Sequence, residues 1–223
     1  REAHPEIEFT KLWQFYGHPT FIKLMADQVR AAWESADQKS TRVLFAAHSV
    51  PNAADDASGG PTDQNLYSRQ VAEASRLIAL EAGVPDYEVV WQSRSGDPRT
   101  PWLEPDVVDR TEEIDDAGEG VKHIICVPVG FITDHMEVIW DLDTELKEAC
   151  EERGISLTRT PTVGLDPVFA QLILDLLDNT ATGTEPESLS TITVQGCTLN
   201  GAPCKEGCCA PQRPKPAAAA PAS

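Results

Sequence analysis

The sequence has no hydrophobic run that approaches the roughly 20 apolar residues needed to cross a bilayer. It also has no signal peptide with a charged start and an apolar middle. Both absences predict a cytoplasmic protein without an integral membrane segment. Because the 223 residues begin with Arg1 rather than Met, we also expect that an upstream portion is missing.

Basic residues are scarce. Lys and Arg number 18 against 36 Asp and Glu, which gives a formal net charge of −18. Such a balance repels phosphate backbones and anionic lipid surfaces, because both need compensating positive charge. Nucleic acid is therefore excluded as a partner, and metal cations become better candidates. Solubility alone would also explain the charge.

Enough apolar residues are present, at 41%, to build a packed core. Short apolar runs alternate with helical periodicity, which predicts an α/β fold with an open parallel sheet flanked by helices. The predicted strands are 43–47, 87–91, 122–127 and 156–159, and the predicted helices are 20–36, one ending at Gly83, 106–117, 134–153 and 166–179. Residues 51–63 are predicted as a loop. The first helix should bury Phe21, Leu24, Met25 and Val29.

The six cysteines are distributed unevenly. Cys126 in an apolar run and Cys150 on a helix are predicted to be buried thiols. The other four are Cys197, Cys204, Cys208 and Cys209. Disulfides, which the cytoplasm disfavours, a zinc site and an iron–sulfur site remain open for them. We expect a lobe over 1–181, a cysteine-containing extension over 182–210 and a disordered Pro/Ala tail over 211–223.

Two histidines follow predicted strands, at the sheet edge where open α/β folds bind ligands. His48 follows the strand 43–47, and His135 follows the strand 122–127 after a short loop. Histidines at such positions are general bases and metal ligands, or hydrogen-bonded structural groups. The sequence alone leaves these alternatives open.

The helix predicted over 134–153 carries carboxylates along one side. Glu137, Asp141 and Glu148 share that side, with Glu145 beside them, and the opposite face is Ile139, Leu142, Leu146 and Cys150. The carboxylates would either form a solvated acidic face or conduct hydrated divalent cations, which prefer oxygen ligands. Asp134 and Glu137 also have the spacing of a capping box, in which Glu137 would only bond the helix start.

Several segments resemble the ordered signatures of ferrochelatases, over roughly residues 13 to 178. They are Phe15-Tyr16-Gly17-His18-Pro19, Ala47-His48-Ser49-Val50-Pro51, Trp91-Gln92-Ser93-Arg94, Pro101-Trp102-Leu103, Val127-Pro128-Val129-Gly130-Phe131, Thr133-Asp134-His135-Met136-Glu137 and Asp141-Leu142-Asp143. The resemblance implies insertion of Fe²⁺ into a porphyrin in heme biosynthesis. The acidic, Ala- and Pro-rich composition and the cysteine tail resemble those of the actinobacterial type. That resemblance alone implies coproporphyrin III as the substrate, with protoporphyrin IX as the alternative.

The resemblance also implies residue roles. His48 and Glu137 would face each other across the porphyrin cleft, bind the metal and remove pyrrole protons. Asp141 and Glu145 would handle an incoming or second metal. The supporting residues would be Ser49, Trp91, Ser93, Trp102, Asp134 and His135, with Trp91, Ser93 and Trp102 near the macrocycle or bracing the loop beside it.

The cysteine tail resembles that of ferrochelatases that hold a [2Fe–2S] cluster, so that cluster is expected on Cys197, Cys204, Cys208 and Cys209, one of the last two being a possible spectator. The family's N-terminal lobe has no counterpart here, and the chain alone is expected to be inactive. The alternatives are a sirohydrochlorin cobalt or nickel chelatase, against which the Trp-Gln-Ser-Arg and Pro-Trp-Leu segments argue, and a non-catalytic iron–sulfur or metal-carrier module.

Overall fold

The computed structural model describes residues 6–7, 11–59 and 63–192. Four strands form one sheet in the order β2-β1-β3-β4, with β1 at Thr41–His48, β2 at Glu88–Gln92, β3 at His123–Val127 and β4 at Ser156–Arg159. Every pairing is parallel; Ala47 is in register with Trp91, and Leu44 with Cys126. The predicted open parallel sheet is confirmed.

Seven α-helices flank the sheet in the described part of the chain. They are α1 Pro19–Ser35, α2 Asn52–Ala57, α3 Leu66–Ala82, α4 Val107–Asp116, α5 Met136–Trp140, α6 Leu146–Glu152 and α7 Pro167–Thr182. A π-helical segment, Asp141–Glu145, joins α5 to α6. The C-terminal stop predicted at Gly83 is confirmed, since this residue has φ 75° and its N–H donates to the carbonyls of Ala79 and Leu80.

Helix α2 corrects the prediction of a loop over 51–63. Its Asp55 is buried and accepts hydrogen bonds from the Ser68 backbone N–H at 3.0 Å and from Asn65 Nδ2 at 3.1 Å. These partners lie at the start of α3, outside the local sequence. A tertiary anchor therefore makes a short helix where composition alone predicts a loop.

Alternate residues of β1 pack against opposite layers of helices. Val43, Phe45 and Ala47 join the core with α1, α3 and α7, whereas Leu44 and Ala46 join the core with α4, α5 and α6. Both faces of the strand are thus covered, which is why its sequence is a continuous apolar run. The predicted burial of Phe21, Met25 and Val29 is confirmed, and Leu24 is partly buried.

The π-helical segment changes the face that α5 buries. Val138, Leu142, Leu146 and Cys150 are fully buried, whereas Ile139 is 42% exposed, so its predicted burial was wrong. In a regular α-helix, positions four residues apart drift by about 40° per step. The wider π turn, in which the Leu146 N–H donates to Asp141 O, offsets that drift. The four-residue spacing from Val138 therefore stays on the sheet.

The loop from β3 to α5 lies directly against the end of β1. A Cβ built on Gly130 would be 2.7 Å from Ala47 Cβ, and the Gly130 N–H donates to Ala46 O at 3.2 Å. Only glycine permits this approach. The contact brings the start of α5 to the carboxyl end of β1.

Beyond α7 the chain returns to α3 and to the residues before α1. Leu189 N–H donates to Gly17 O at 2.8 Å, and Thr191 N–H donates to Glu73 Oε1 at 2.7 Å. Cys197, Cys204, Cys208 and Cys209, together with the predicted tail 211–223, lie outside the described residues. Among the helices that are described, none is both long and apolar enough to span a membrane.

Candidate active site

The sequence-predicted site residues gather at the topological switch point of the sheet. In the strand order β2-β1-β3-β4, the connection that leaves β1 leads to β2 on one side, and the connection that leaves β3 leads to β4 on the other side. The two connections therefore diverge at the boundary between β1 and β3. His48 is the last residue of β1, and Glu137 is in the first turn of α5, which follows β3. Open parallel sheets bind ligands in the crevice that forms at this position.

His48 and Glu137 meet there. His48 Nε2 lies 3.0 Å from Glu137 Oε1, and the two side chains are 38% and 45% exposed. His48 Nδ1 contacts the Ser49 carbonyl oxygen, and the His48 carbonyl accepts a hydrogen bond from the Tyr67 hydroxyl at 2.7 Å. The imidazole is therefore held at its backbone and at Nδ1, while Nε2 faces the carboxylate and solvent.

The pair brings one imidazole nitrogen and one carboxylate oxygen to within 3.0 Å of each other at the same edge of the sheet. An imidazole nitrogen donates or accepts a proton according to its tautomer, and a carboxylate oxygen accepts a hydrogen bond or binds a metal cation. The two side chains are thus suited to proton transfer and to cation binding.

The capping-box alternative for Glu137 is wrong. The residue that precedes α5 is His135, and its side chain makes no capping hydrogen bond. Asp134 instead forms an ion pair with Arg159 at 2.9 Å. Glu137 is consequently free to face His48. The His135 ring packs edge-on against Phe131, with 5.5 Å between ring centroids.

Asp141 is held from the end of β2. Gln92 Nε2 donates to Asp141 Oδ2 at 3.0 Å, and the Ser93 hydroxyl donates to the same oxygen. Ser93 has a φ of 66°, a left-handed conformation that directs its side chain toward α5 and the π segment. Gln92 is buried, and its Oε1 atom has no hydrogen-bond partner.

An acidic cleft of about 630 Å³ continues from Asp141 along the helix. Its carboxylates are Asp106, Glu112, Asp141, Glu145, Glu148 and Glu152. Glu145 and Glu148 are exposed to solvent. Within the described ranges, no three His, Cys, Asp or Glu side chains converge tightly enough to chelate a metal ion. The cleft can attract a hydrated cation but does not enclose a dehydrated one.

Three further predicted residues support the site from behind. Ser49 is buried and its hydroxyl donates to Leu103 O at 2.9 Å. Trp102 pairs with Pro51 in an isolated β-bridge. Trp91 is buried and its ring lies 5.9 Å from that of Tyr67. Of the two roles predicted for Trp91, these contacts favour bracing of the loop over contact with a ligand.

The sequence analysis missed three residues at this edge. Tyr67 bonds the His48 carbonyl, and burial raises its pKa to about 12. Gln92 binds Asp141, and its place between Trp91 and Ser93 in a quoted motif was the available signal. Arg159, at the end of β4, forms ion pairs with Asp134 and Asp143. No signal in the sequence indicated these ion pairs.

The two described cysteines lie in the core. Cys126 and Cys150 are buried, as predicted. Burial raises the pKa of the Cys126 thiol to about 12 and that of the Cys150 thiol to about 11. Both therefore stay protonated near neutral pH, whereas metal ligation requires the thiolate.

Comparison with known proteins identifies the family of this chain. The sequence is 50% identical over 235 residues to the coproporphyrin III ferrochelatase of Nocardia farcinica, covering 98% of this chain and 66% of that protein. It is 50% identical over 206 residues to that of Corynebacterium glutamicum strain R, covering 91% and 55%, and 44% identical over 220 residues to that of Mycobacterium ulcerans, covering 97% and 63%. The chain thus spans between 55% and 66% of the length of these relatives. A sequence model described as ferrochelatase matches residues 1–181, and the chain belongs to the ferrochelatase family.

Proposed function

We propose that this chain carries the metal-insertion site of an enzyme that places Fe²⁺ into a porphyrin in heme biosynthesis, with coproporphyrin III, named in its relatives, as the substrate. The observation that supports this most is the 3.0 Å contact between His48 Nε2 and Glu137 Oε1 at the switch point. Both side chains are partly exposed to solvent, so a ligand can reach them. The contact of His48 Nδ1 with the Ser49 carbonyl and the Tyr67 bond to the His48 carbonyl hold the residue in place.

The chemistry fits an imidazole paired with a carboxylate. Metallation removes two N–H protons from the macrocycle while the iron loses its waters. Imidazole is a general base that can accept protons around neutral pH. A macrocycle can lie between His48 and Glu137 only after their 3.0 Å contact opens, and the two side chains would then take up the pyrrole protons and hold the iron. Bending of the macrocycle, driven by binding energy, would expose its nitrogen lone pairs.

Asp141 and Glu145 would hold the incoming or a second metal ion in hydrated form. The open acidic cleft supports a site for a cation that keeps its water shell, since hard divalent cations bind carboxylate oxygens and retain water. Asp134, His135, Ser49, Ser93, Trp91 and Trp102 would support this edge of the cleft without contacting the iron.

We also propose that a second α/β lobe completes the cleft. The chain spans only part of the length of its relatives, and large apolar side chains around the site are exposed. These are Ile132, Met136, Ile139, Trp140 and Leu165. The macrocycle and the second lobe would cover them, and the chain alone would be inactive. The division into a lobe at 1–181, an extension at 182–210 and a tail at 211–223 remains a prediction, as does the cytoplasmic location.

For the extension, the proposed cofactor is a [2Fe–2S] cluster on Cys197, Cys204, Cys208 and Cys209. The donor set fits, because four thiolates suffice for such a cluster and the two described cysteines are buried as thiols. Anaerobic purification, followed by iron and sulfide analysis of Cys→Ser variants, tests it. Equal iron and sulfide in the quadruple variant and the parent protein would refute it, and full loading after one substitution at Cys208 or Cys209 would identify the spectator.

The central test is iron insertion by the longest polypeptide that the gene encodes, with His48→Ala and Glu137→Gln beside it. Removing a general base costs about 10²–10⁴-fold in rate. His123→Ala is the matched control, since His123 lies at the opposite, amino end of the sheet and bonds Thr158 at 2.9 Å. Losses that are equal in the three variants, or absent in His48→Ala, would contradict the proposal.

Comparing coproporphyrin III with protoporphyrin IX and sirohydrochlorin tests the substrate. We expect the highest kcat/KM with coproporphyrin III. Equal or greater activity on protoporphyrin IX would overturn the choice of substrate, and cobalt or nickel insertion into sirohydrochlorin would support the rival chelatase. A metal carrier would leave the porphyrin Soret band unchanged.

A further inference from the structure

Arg159 ends β4 and connects two segments that carry site residues. Its Nε and Nη2 atoms donate to the two carboxylate oxygens of Asp143 at 2.7 and 2.9 Å, and its Nη1 atom donates to Asp134 at 2.9 Å. The bidentate geometry restricts orientation as well as distance, because the guanidinium is planar. The Arg159 side chain is 16% exposed and the two carboxylates are each 35% exposed, so solvent screens these pairs in part.

Along the sequence, the two carboxylates flank Glu137 and Asp141. Asp134 is in the loop that leads to Glu137, and Asp143 is inside the π-helical segment that contains Asp141 and Glu145. Arg159 itself is fixed to the sheet, since it is in register with Cys126 of β3. One guanidinium therefore fastens the segments before and after Glu137 to the rigid sheet.

We propose that Arg159 is a positioning residue that holds Glu137 against His48 and shapes the π turn beneath Asp141. This inference rests on the proposed function and adds a residue to it. The hydrogen bonds of Arg159 go to Asp134, to Asp143 and to the Thr160 carbonyl, not to His48 or Glu137. Without its charge, Asp134 and Asp143 lose their shared cation, and the start of α5 loses its attachment to β4.

The test uses Arg159→Met and Arg159→Lys in the longest polypeptide of the gene, with Arg153→Met as the matched control. Arg153 is 20% exposed and donates to Glu112 at 2.7 Å, so its variant also removes a partly buried ion pair close to β4. Loss of residues that orient metal ligands lowers activity by about 10–100-fold. We expect that decrease in kcat for Arg159→Met, with the KM for porphyrin near the wild-type value. The decrease should be smaller for Arg159→Lys, because lysine keeps the positive charge but cannot form the bidentate contact.

A second measurement needs no activity. In histidine-ring proton–carbon correlation spectra at one pH, the His48 signal of Arg159→Met should move toward its position in Glu137→Gln, whereas Arg153→Met should leave it unchanged. An unmoved His48 signal in folded Arg159→Met, or equal kcat losses at Arg159 and Arg153, would overturn the proposal. If Arg159→Met does not fold, Asp134→Asn, which removes one arm of the contact, is measured in the same way. An inactive wild type with the expected signal movement would refute iron insertion but support the positioning role.

Discussion

Gln92 Nε2 donates a hydrogen bond to Asp141 Oδ2 at 3.0 Å and so joins the last residue of β2 to the first residue of the π-helical segment. The bond crosses from a sheet strand to the helix that carries the acidic cleft. Gln92 Oε1 is buried without a hydrogen-bond partner, which destabilises the folded state. The hydrogen bond from Nε2 to the charged carboxylate offsets this destabilisation. This balance leads to the first prediction.

Gln92→Glu should destabilise the protein more than Gln92→Leu. The leucine removes the bond to Asp141, worth about 1.5–3 kcal/mol, but also removes the unpartnered oxygen. The glutamate places a second carboxylate against Asp141 in a buried position, where like charges repel strongly. Urea unfolding at pH 7 measures both, and equal free energies of unfolding would contradict the charge argument.

Ser93→Gly should be more stable than Ser93→Ala. Both variants lose the hydroxyl that donates to Asp141, so their difference isolates the backbone at φ 66°. The left-handed conformation costs a residue with a Cβ about 1–2 kcal/mol, and glycine avoids this cost. Part of the gain is lost, because glycine has more conformational freedom in the unfolded chain. Chemical denaturation curves of the two variants provide the comparison. An alanine variant as stable as the glycine variant would show that the backbone there is relaxed.

Glu73 should make the protein more sensitive to acid. Its carboxylate accepts hydrogen bonds from Arg76 and from Thr191, and the Arg76 bond is the main cause that lowers its pKa from 4.5 to about 2. A depressed folded-state pKa contributes stability above the unfolded pKa, and this contribution is lost as pH falls from about 4.5 to about 2. The contribution is about 1–3 kcal/mol.

Glu73→Gln should therefore lose less free energy of unfolding between pH 6 and pH 3 than the wild type, by urea titration at each pH. Asp27→Asn is a useful control, because that carboxylate also has a lowered pKa but is largely exposed on α1. Identical pH slopes for wild type and Glu73→Gln would refute the assignment.

Leu142→Ala and Ile139→Ala should differ sharply. Leu142 is a fully buried residue of the π-helical segment, and its truncation should cost about 2–5 kcal/mol. Ile139 is 42% exposed, and its truncation should cost about 1 kcal/mol or less. Similar losses in urea unfolding would mean that α5 buries the face expected of a regular α-helix.

Local signals in the sequence were sufficient for the sheet and most helices. The apolar run of β1 predicts burial on both faces, and glycine after α3 predicts its end, because both depend on residues near in sequence. The position of His48 at the end of β1 follows from the same run. The order of motifs along the chain also indicated the family, which the comparisons show.

The face of α5 could not be predicted in this way. Ile139 fits the apolar face of a regular helix. No local sequence pattern indicates the π turn, which places Val138 rather than Ile139 on the buried face. The prediction of a loop where α2 lies was wrong for a similar reason, because Asp55 of α2 is held by residues at the start of α3. Both errors come from contacts that local periodicity does not contain.

The sequence by itself determined the strands and most of the helices, and its resemblance to the family marked His48 and Glu137 as candidate site residues. Only the tertiary structure decided that Nε2 and Oε1 lie 3.0 Å apart, that Gln92 and Ser93 hold Asp141, and that Arg159 joins Asp134 to Asp143. The physical reason is that secondary structure depends mainly on neighbours along the chain. Hydrogen bonds and ion pairs in the site depend on the order of strands in the sheet, which brings distant segments together.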